Sequence, residues 1–189
     1  MIRALQLGRA REYNPDMSTL QPEQALFLRD GALRSLKTEQ PITQRVIEAI
    51  PIGKGDYRPD DIGKTAMELA WHIVSAEHRF TEAVINGAFD FTNTGRPAEL
   101  TNSAEVARWY AETSQQDVAR LAAVPVDGLV KIVDFRGLFQ LPAVAFLHFS
   151  MNHVIHHRGQ LSMYLRPMGA KVPAIYGESY DSAKAKAGA

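Results

Sequence analysis

Long stretches with apolar residues at helical spacing alternate with short segments rich in glycine, proline and polar residues along this chain. The first long stretch begins at Pro22 and ends at Pro51 and Gly53, which predicts a helix between them. Because Pro41 lacks an N–H group, it should kink or split this helix. The apolar positions that recur along the stretch are Leu26, Leu33, Leu36, Val46, Ile47 and Ile50.

Two further helices are predicted from capping motifs that precede apolar runs. Thr65 and Glu68 stand three residues apart, as in a capping box, before a stretch that continues to about Asn86. Asn102 and Glu105 have the same spacing at the start of the third stretch. Both pairs therefore predict the residue at which a helix begins.

The fourth helix is predicted near the end of the chain. The segment from Val130 to Phe135 alternates only briefly between apolar and polar residues, which indicates a short extended connector that need not belong to a sheet. Pro142 suits the first position of a long helix, and Pro167 and Gly169 mark its end.

Four long helical patterns without a convincing set of strands predict an all-α fold, a four-helix bundle with long connecting loops. The predicted organisation is an N-terminal arm over residues 1–20, one metal-binding bundle domain over 21–177 and a polar C-terminal tail over 178–189. In such bundles, cofactor and metal sites are built from side chains that project inward from facing helices.

Composition narrows the partners and the chemistry. The 189 residues include 46% hydrophobic residues, as in an ordinary globular protein. Lys plus Arg and Asp plus Glu both number 21, so there is no excess positive charge to attract nucleic acid or an anionic membrane. No apolar run has the length of a signal peptide core or a membrane span, which predicts a cytoplasmic location. The chain contains no cysteine, so any metal must be held by His, Asp or Glu.

The histidines are clustered, with all six in two predicted helices. His153 and His157 are four residues apart, so their Cβ atoms lie on one helix face about 6 Å apart and both rings can reach one ion. His72 falls within the apolar stripe of the second helix, where an imidazole needs a hydrogen-bond partner or a metal. These residues alone leave two interpretations open, namely three metal ligands or hydrogen-bonded core histidines.

Other histidines fit the predicted site less well. His156 is three residues from His153, which is also a permitted ligand spacing, but it points about 100° away from His157. His148 and His78 are expected at the surface or around the site. The absence of an H-E-x-x-H sequence excludes that metalloprotease signature.

Three residues near the histidine pair are candidates for contact with a substrate. Gln160 and Tyr164 continue the ligand face of the fourth helix, although a packed tyrosine and a buried amide are the simpler interpretation. Arg158 follows a ligand directly and could bind an anionic group, or it could pair with a neighbouring carboxylate.

Two segments, ELAWHIVSAEHRF and NHVIHHRGQLSMYLRPMGAKVPAIYG, resemble the DinB family of YfiT-like bundle proteins. The resemblance extends more loosely to DYRPDD and covers about residues 26–177. The family pattern maps its three histidines onto His72, His153 and His157. It implies a four-helix bundle, commonly a homodimer, in which this triad binds a divalent ion such as zinc or nickel.

The function implied by the resemblance is a metal-dependent reaction of a small-molecule substrate. Characterised relatives of this kind include transferases and isomerases that use bacillithiol, mycothiol or glutathione, so the first hypothesis is transfer of a low-molecular-weight thiol to an electrophile. An ion held by three imidazoles can lower the pKa of a thiol or a water molecule, so metal-dependent hydrolysis is the alternative. A third hypothesis is a non-catalytic, metal-binding stress-response homodimer in which the ion only stabilises the bundle.

Overall fold

Four long helices form the body of the protein in the computed structural model, which describes residues 20–188. The predicted all-α four-helix bundle is confirmed, whereas the predicted arm lies almost entirely outside the described residues. The helices and strands are α1 (Pro22–Glu48), α2 (Ala66–Asn86), α3 (Ser103–Ala122), α4 (Val126–Val130), β1 (Ile132–Phe135), β2 (Phe139–Pro142), α5 (Ala145–Leu165) and α6 (Tyr180–Ala187).

The predicted capping boxes set the first residues of α2 and α3. The Thr65 hydroxyl accepts a hydrogen bond from the Glu68 amide at 3.1 Å, and the Glu68 carboxylate accepts one from the Thr65 amide at 2.7 Å. Asn102 and Glu105 form the same reciprocal pair. The helix α2 ends at Asn86, as predicted, and Gly87 caps it in the left-handed conformation at φ 69°. These local predictions from the sequence are confirmed.

Pro41 does not split the first helix, so that part of the prediction is wrong. The ring of Pro41 lies at an exposed position, and α1 continues through it to Glu48. The carbonyl of Lys37, four residues earlier, loses its helical partner on the exposed side of the helix, where water can replace the lost donor. Beyond the proline, Val46 and Ile47 are fully buried, and this packing holds the last turns of α1 in place.

The segment before α5 forms a hairpin, in which β1 and β2 pair antiparallel from Ile132 opposite Pro142 to Phe135 opposite Phe139. Pro142 therefore ends a strand, and the prediction that it begins the last helix is wrong. The next residue, Ala143, continues the pairing when its amide donates to the Lys131 carbonyl at 2.8 Å. The ladder thus delays the start of α5 to Ala145.

The predicted polar tail contains a helix of its own. The Ser179 hydroxyl accepts a hydrogen bond from the Ser182 amide at 3.0 Å and begins α6. The Asp181 carboxylate accepts a hydrogen bond from the Val172 amide at 3.0 Å and forms an ion pair with Arg166. These contacts attach the C-terminal segment to the end of α5.

The core forms two clusters, and α2 and α5 contribute to both. Ile73 and Leu161 belong to the cluster that also includes the ends of α1 and α3. Val84 and Phe146 belong to the cluster beside the hairpin. Of the helices among residues 20–188, none is both long and apolar enough to cross a membrane.

A buried ion pair connects α1 to α5. Arg158 is 1% exposed, and its guanidinium lies 2.7 Å from the Glu39 carboxylate and donates to the Thr43 hydroxyl at 3.1 Å. It also donates to the Tyr176 hydroxyl at 2.5 Å, which in turn donates to Glu39 at 2.9 Å. The contacts fix α5 against α1 and bring the segment after α5 into the same network.

Replacement of Glu39 by alanine should lower the free energy of unfolding by about 3 kcal/mol, because it leaves the buried charge of Arg158 without its carboxylate. Chemical denaturation of the two proteins measures this change. A matched control is Glu48→Ala, on the exposed side of the same helix, which should change stability by about 0.5 kcal/mol or less. Equal small effects of both substitutions would contradict this role of the ion pair.

Candidate metal centre

Three imidazole nitrogens meet between α2 and α5. His72 Nε2 lies 3.0 Å from His153 Nε2 and 3.2 Å from His157 Nε2. The one-turn spacing of His153 and His157 places both on the face of α5 that packs against α2, with ring centroids 4.4 Å apart. The structure thus brings together the three histidines that the sequence singled out.

The spacing of these nitrogens suits ligands to a single ion. Two nitrogens that are each about 2.0–2.1 Å from a tetrahedral ion lie about 3.3 Å apart, close to the spacing here. A proton can link only one pair of nitrogens at a time, so three converging Nε2 atoms leave lone pairs facing one another. A cation at the centre of the group removes that repulsion. The donor set therefore fits a divalent metal.

The protonation state of the triad also favours metal binding. The pKa of His72 is lowered to about 4, first by burial and then by the nearby His157, Lys64 and Arg79. The pKa of His153 is likewise lowered to about 4 by burial and by the neighbouring histidines. Both rings are therefore neutral near physiological pH, and neutral imidazole is the form that binds metals.

The second nitrogen of each α5 ligand has a different environment. The Nδ1 atom of His157 lies 2.9 Å from the Gln160 amide oxygen, which accepts its proton and leaves Nε2 free as a ligand. The Nδ1 atom of His153 is buried without a hydrogen-bond partner among the described residues. Among the two ring nitrogens of His153, Nε2 is therefore the one with a bonding partner, and a metal ion would be a suitable partner for it.

The remaining histidines of α5 lie outside the triad. His156 is exposed, and its ring contacts only the flank of His157, with centroids 4.8 Å apart. His148 is exposed and bonds to Asn152 at 2.9 Å. Between the two alternatives left open by the sequence, His157 rather than His156 faces His72.

The three candidate substrate residues have different surroundings. Gln160 supports His157, as described above. Tyr164 is 4% exposed and packs edge to face on Tyr57, within the larger core cluster. Arg158 is held in the ion pair that joins α1 to α5 and does not line the cavity beside His72. Neither Tyr164 nor Arg158 is among the residues that line the cavity beside His72.

A cavity of about 590 Å³ opens beside His72. Its walls come from α2 and from the loops before and after that helix, which supply several positively charged side chains. The sequence analysis did not predict this cavity, because its wall combines one helix with two loops, and no spacing pattern shows that these segments meet. The wall residues that carry the later argument are Arg58, Lys64, Glu68, Trp71, Arg79 and Arg96.

A second cluster of ionisable groups joins α2 to α3. His78 Nδ1 lies 2.6 Å from the Asp117 carboxylate, and this hydrogen bond raises the pKa of His78. Glu82 lies close enough to complete a set of three metal-type ligands. Arg120, however, forms an ion pair with Glu82 and lies 3.9 Å from Asp117, so it already supplies the positive charge. This cluster is an ion-pair network between two helices.

Comparison with known proteins agrees with the fold. YjoA, an uncharacterised protein of Bacillus subtilis, is 30% identical over 131 residues, which are 68% of this chain and 82% of YjoA. YrdA, another uncharacterised protein of that organism, is 29% identical over 150 residues, which are 78% of this chain and 87% of YrdA.

Solved structures include the same kind of bundle. The crystal structure of YjoA, a DinB-like protein, has a TM-score of 0.66 at 26% identity and covers 78% of this chain and 99% of that chain. A DinB-like protein from Bacillus cereus has a TM-score of 0.66 at 27% identity, covering 78% of this chain and 97% of its own. The profile of the DinB family matches residues 23–187, which extends beyond the 26–177 seen in the sequence and includes α6. Because that match spans most of the chain, this protein belongs to the DinB family.

Proposed function

We propose that this protein binds one divalent ion through His72, His153 and His157 and uses it to transfer a low-molecular-weight thiol to a small electrophile. This proposal rests on one observation, namely that the Nε2 atoms of His153 and His157 both lie within 3.2 Å of the Nε2 atom of His72. Zinc or nickel is the ion we expect, since both bind imidazole and the chain offers no thiolate.

The number of ligands supports a reactive site. Three protein ligands leave at least one coordination position open, whereas structural zinc sites are closed by four. Among residues 20–188, one other group of three potential metal ligands lies close together. It consists of His78, Glu82 and Asp117, which belong to the network between α2 and α3. The cavity beside His72 would give a small molecule access to an ion held by the triad.

A bound divalent ion would supply Lewis acidity, which lowers the pKa of a thiol and makes the thiolate available near neutral pH. The protein's own groups hold the site in readiness for that chemistry. Burial keeps His72 and His153 neutral, and Gln160 fixes which nitrogen of His157 carries the proton. In the proposed reaction the thiol sulfur forms a bond to carbon, its proton is released, and the leaving group departs with its electron pair.

The acidity of a thiol favours it over water as the nucleophile. Glu68 is the only carboxylate among the described residues that line the cavity, and one of its two oxygens accepts a hydrogen bond from the Thr65 amide. Hydrolysis through an activated water usually employs a general base, and the cavity wall offers only this partly engaged carboxylate. A thiol is far more acidic than water, so its thiolate forms at the ion with less need of a base.

The triad should account for metal binding. The full-length protein, loaded with zinc and dialysed, should retain a single ion per chain by elemental analysis. His153→Ala should weaken binding by about 100-fold or more, because it removes one of three ligands. His156→Ala is the matched control on the same helix and should leave binding unchanged. Equal metal content in both variants would contradict the proposed ligand set.

Thiol transfer should depend on the same ion. With glutathione or bacillithiol and a chromogenic aryl halide, thiol consumption should stop after chelation and return when zinc or nickel is restored. The His156→Ala protein should stay active, and the His153→Ala protein should not. Activity that survives chelation would contradict the proposal. Metal-dependent cleavage of an activated ester without thiol consumption would favour hydrolysis, and neither activity would favour a purely stabilising ion.

A further inference from the structure

We propose that the cavity beside the metal centre selects a small substrate that carries at least two negative charges, as carboxylates or as phosphate. This inference rests on the proposed function, because it assigns the charge of the molecule that reaches the ion. It concerns residues of α2 and of the loops on either side of it that are not members of the proposed metal triad. The observation behind it is a concentration of cations in the cavity wall.

Four cations and one carboxylate line the cavity, although the whole chain has a formal net charge of zero. Lys64 precedes the first turn of α2, and Arg79 lies two turns beyond His72 on the same helix. Arg58 comes from the loop before α2, and Arg96 comes from the loop after it. Positive charge thus approaches one space from three segments of the chain.

These cations have no carboxylate within salt-bridge distance among residues 20–188, since none of the ion pairs found there includes them. Elsewhere in the same residues, five cationic side chains outside the cavity do have such partners. The paired cations are Arg29, Arg120, Arg158, Arg166 and Lys186. The wall of the cavity therefore holds charges that a ligand can neutralise.

The charge of the wall reaches the metal centre. Lys64 and Arg79 line the cavity together with His72, so the charged wall adjoins the ligand ring itself. Arg79 is half-buried, and its own pKa is lowered by burial and by the neighbouring Arg136, while Asp90 offsets part of that effect. Holding like charges close together in a partly buried place is unfavourable without a counter-charge. A bound anion removes that cost, and the field attracts anions from solution.

The size and the remaining wall of the cavity suit a small polar molecule. A volume of about 590 Å³ lies within the range of small-molecule sites, and a molecule with two carboxylates and a thiol occupies only part of it. Trp71 lines the same wall, and its indole N–H donates to the Thr94 carbonyl at 3.1 Å. That bond fixes the ring, so Trp71 provides a rigid face and a fluorescent reporter of binding.

The test compares thiols that differ only in charge. Zinc-loaded, full-length protein is titrated with mercaptosuccinate and with its dimethyl ester, and tryptophan fluorescence and calorimetry report the affinity. Mercaptosuccinate should bind about tenfold more tightly or better, and added salt should reduce the difference. Two thiol-free probes, succinate and inorganic phosphate, distinguish carboxylate recognition from phosphate recognition.

Matched variants identify the cations responsible. Arg58→Gln combined with Arg79→Gln should weaken mercaptosuccinate binding by about tenfold, because each lost charge should weaken it by about threefold. Binding of the ester should not change. The control, Arg34→Gln combined with Arg108→Gln, removes the same net charge at exposed positions outside the cavity and should have no effect. Zinc content is measured in every variant and should not change.

The two proposals fail in different ways. If zinc binds but mercaptosuccinate and its ester bind equally, or if both double variants act alike, the inference about charge is overturned and the metal proposal stands. If the cavity variants selectively weaken succinate or phosphate binding while no thiol is consumed with any electrophile, the inference stands and thiol transfer fails.

Discussion

The structure depends on one arrangement, in which three imidazole nitrogens are forced together where α2 and α5 pack. Bringing His72 within 3.2 Å of both α5 ligands removes water from the rings and lowers the pKa of His72 and His153 to about 4. These two rings therefore cannot relieve their proximity by taking up protons near neutral pH. A cation between them is the simplest resolution, and the proposed chemistry follows from it.

The rest of the bundle holds that arrangement in place from two sides. One residue after His157, the Arg158 ion pair fixes α5 against α1. Toward the hairpin, the rings of Phe80 and Phe146 belong to an aromatic group beside His153, and the Phe80 and His153 centroids are 6.2 Å apart. An ion at the triad would in turn stabilise the bundle, because a ligand that binds only the folded state shifts the folding equilibrium.

Local sequence patterns predicted much of this fold because local interactions create it. The capping boxes at Thr65 and Asn102 involve residues three apart, and the His153 and His157 pair needs only one helical turn. The same reasoning failed at Pro41 and Pro142, where packing beyond the proline and strand pairing outweighed the local preference. The charge of the cavity was also missed, because the helix and the two loops that supply it converge only once the fold is known.

The pairing of Arg158 shows a further limit. Its position beside His157 left open contact with an anionic substrate or pairing with a carboxylate, and its partner, Glu39, is 119 residues away along the chain, where no spacing rule connects them. Conversely, no pattern in the sequence singled out the cations near His72. Contacts that depend on distant segments of the chain are therefore poorly predicted from residue spacing alone.

The most direct measurement of the central claim is X-ray absorption spectroscopy of the zinc- or nickel-loaded protein, together with the His72→Ala variant. The account predicts three imidazole ligands at about 2.0–2.1 Å and at least one exchangeable ligand such as water. Two imidazole ligands should remain after the substitution. A spectrum without imidazole scattering, or one that His72→Ala leaves unchanged, would contradict it.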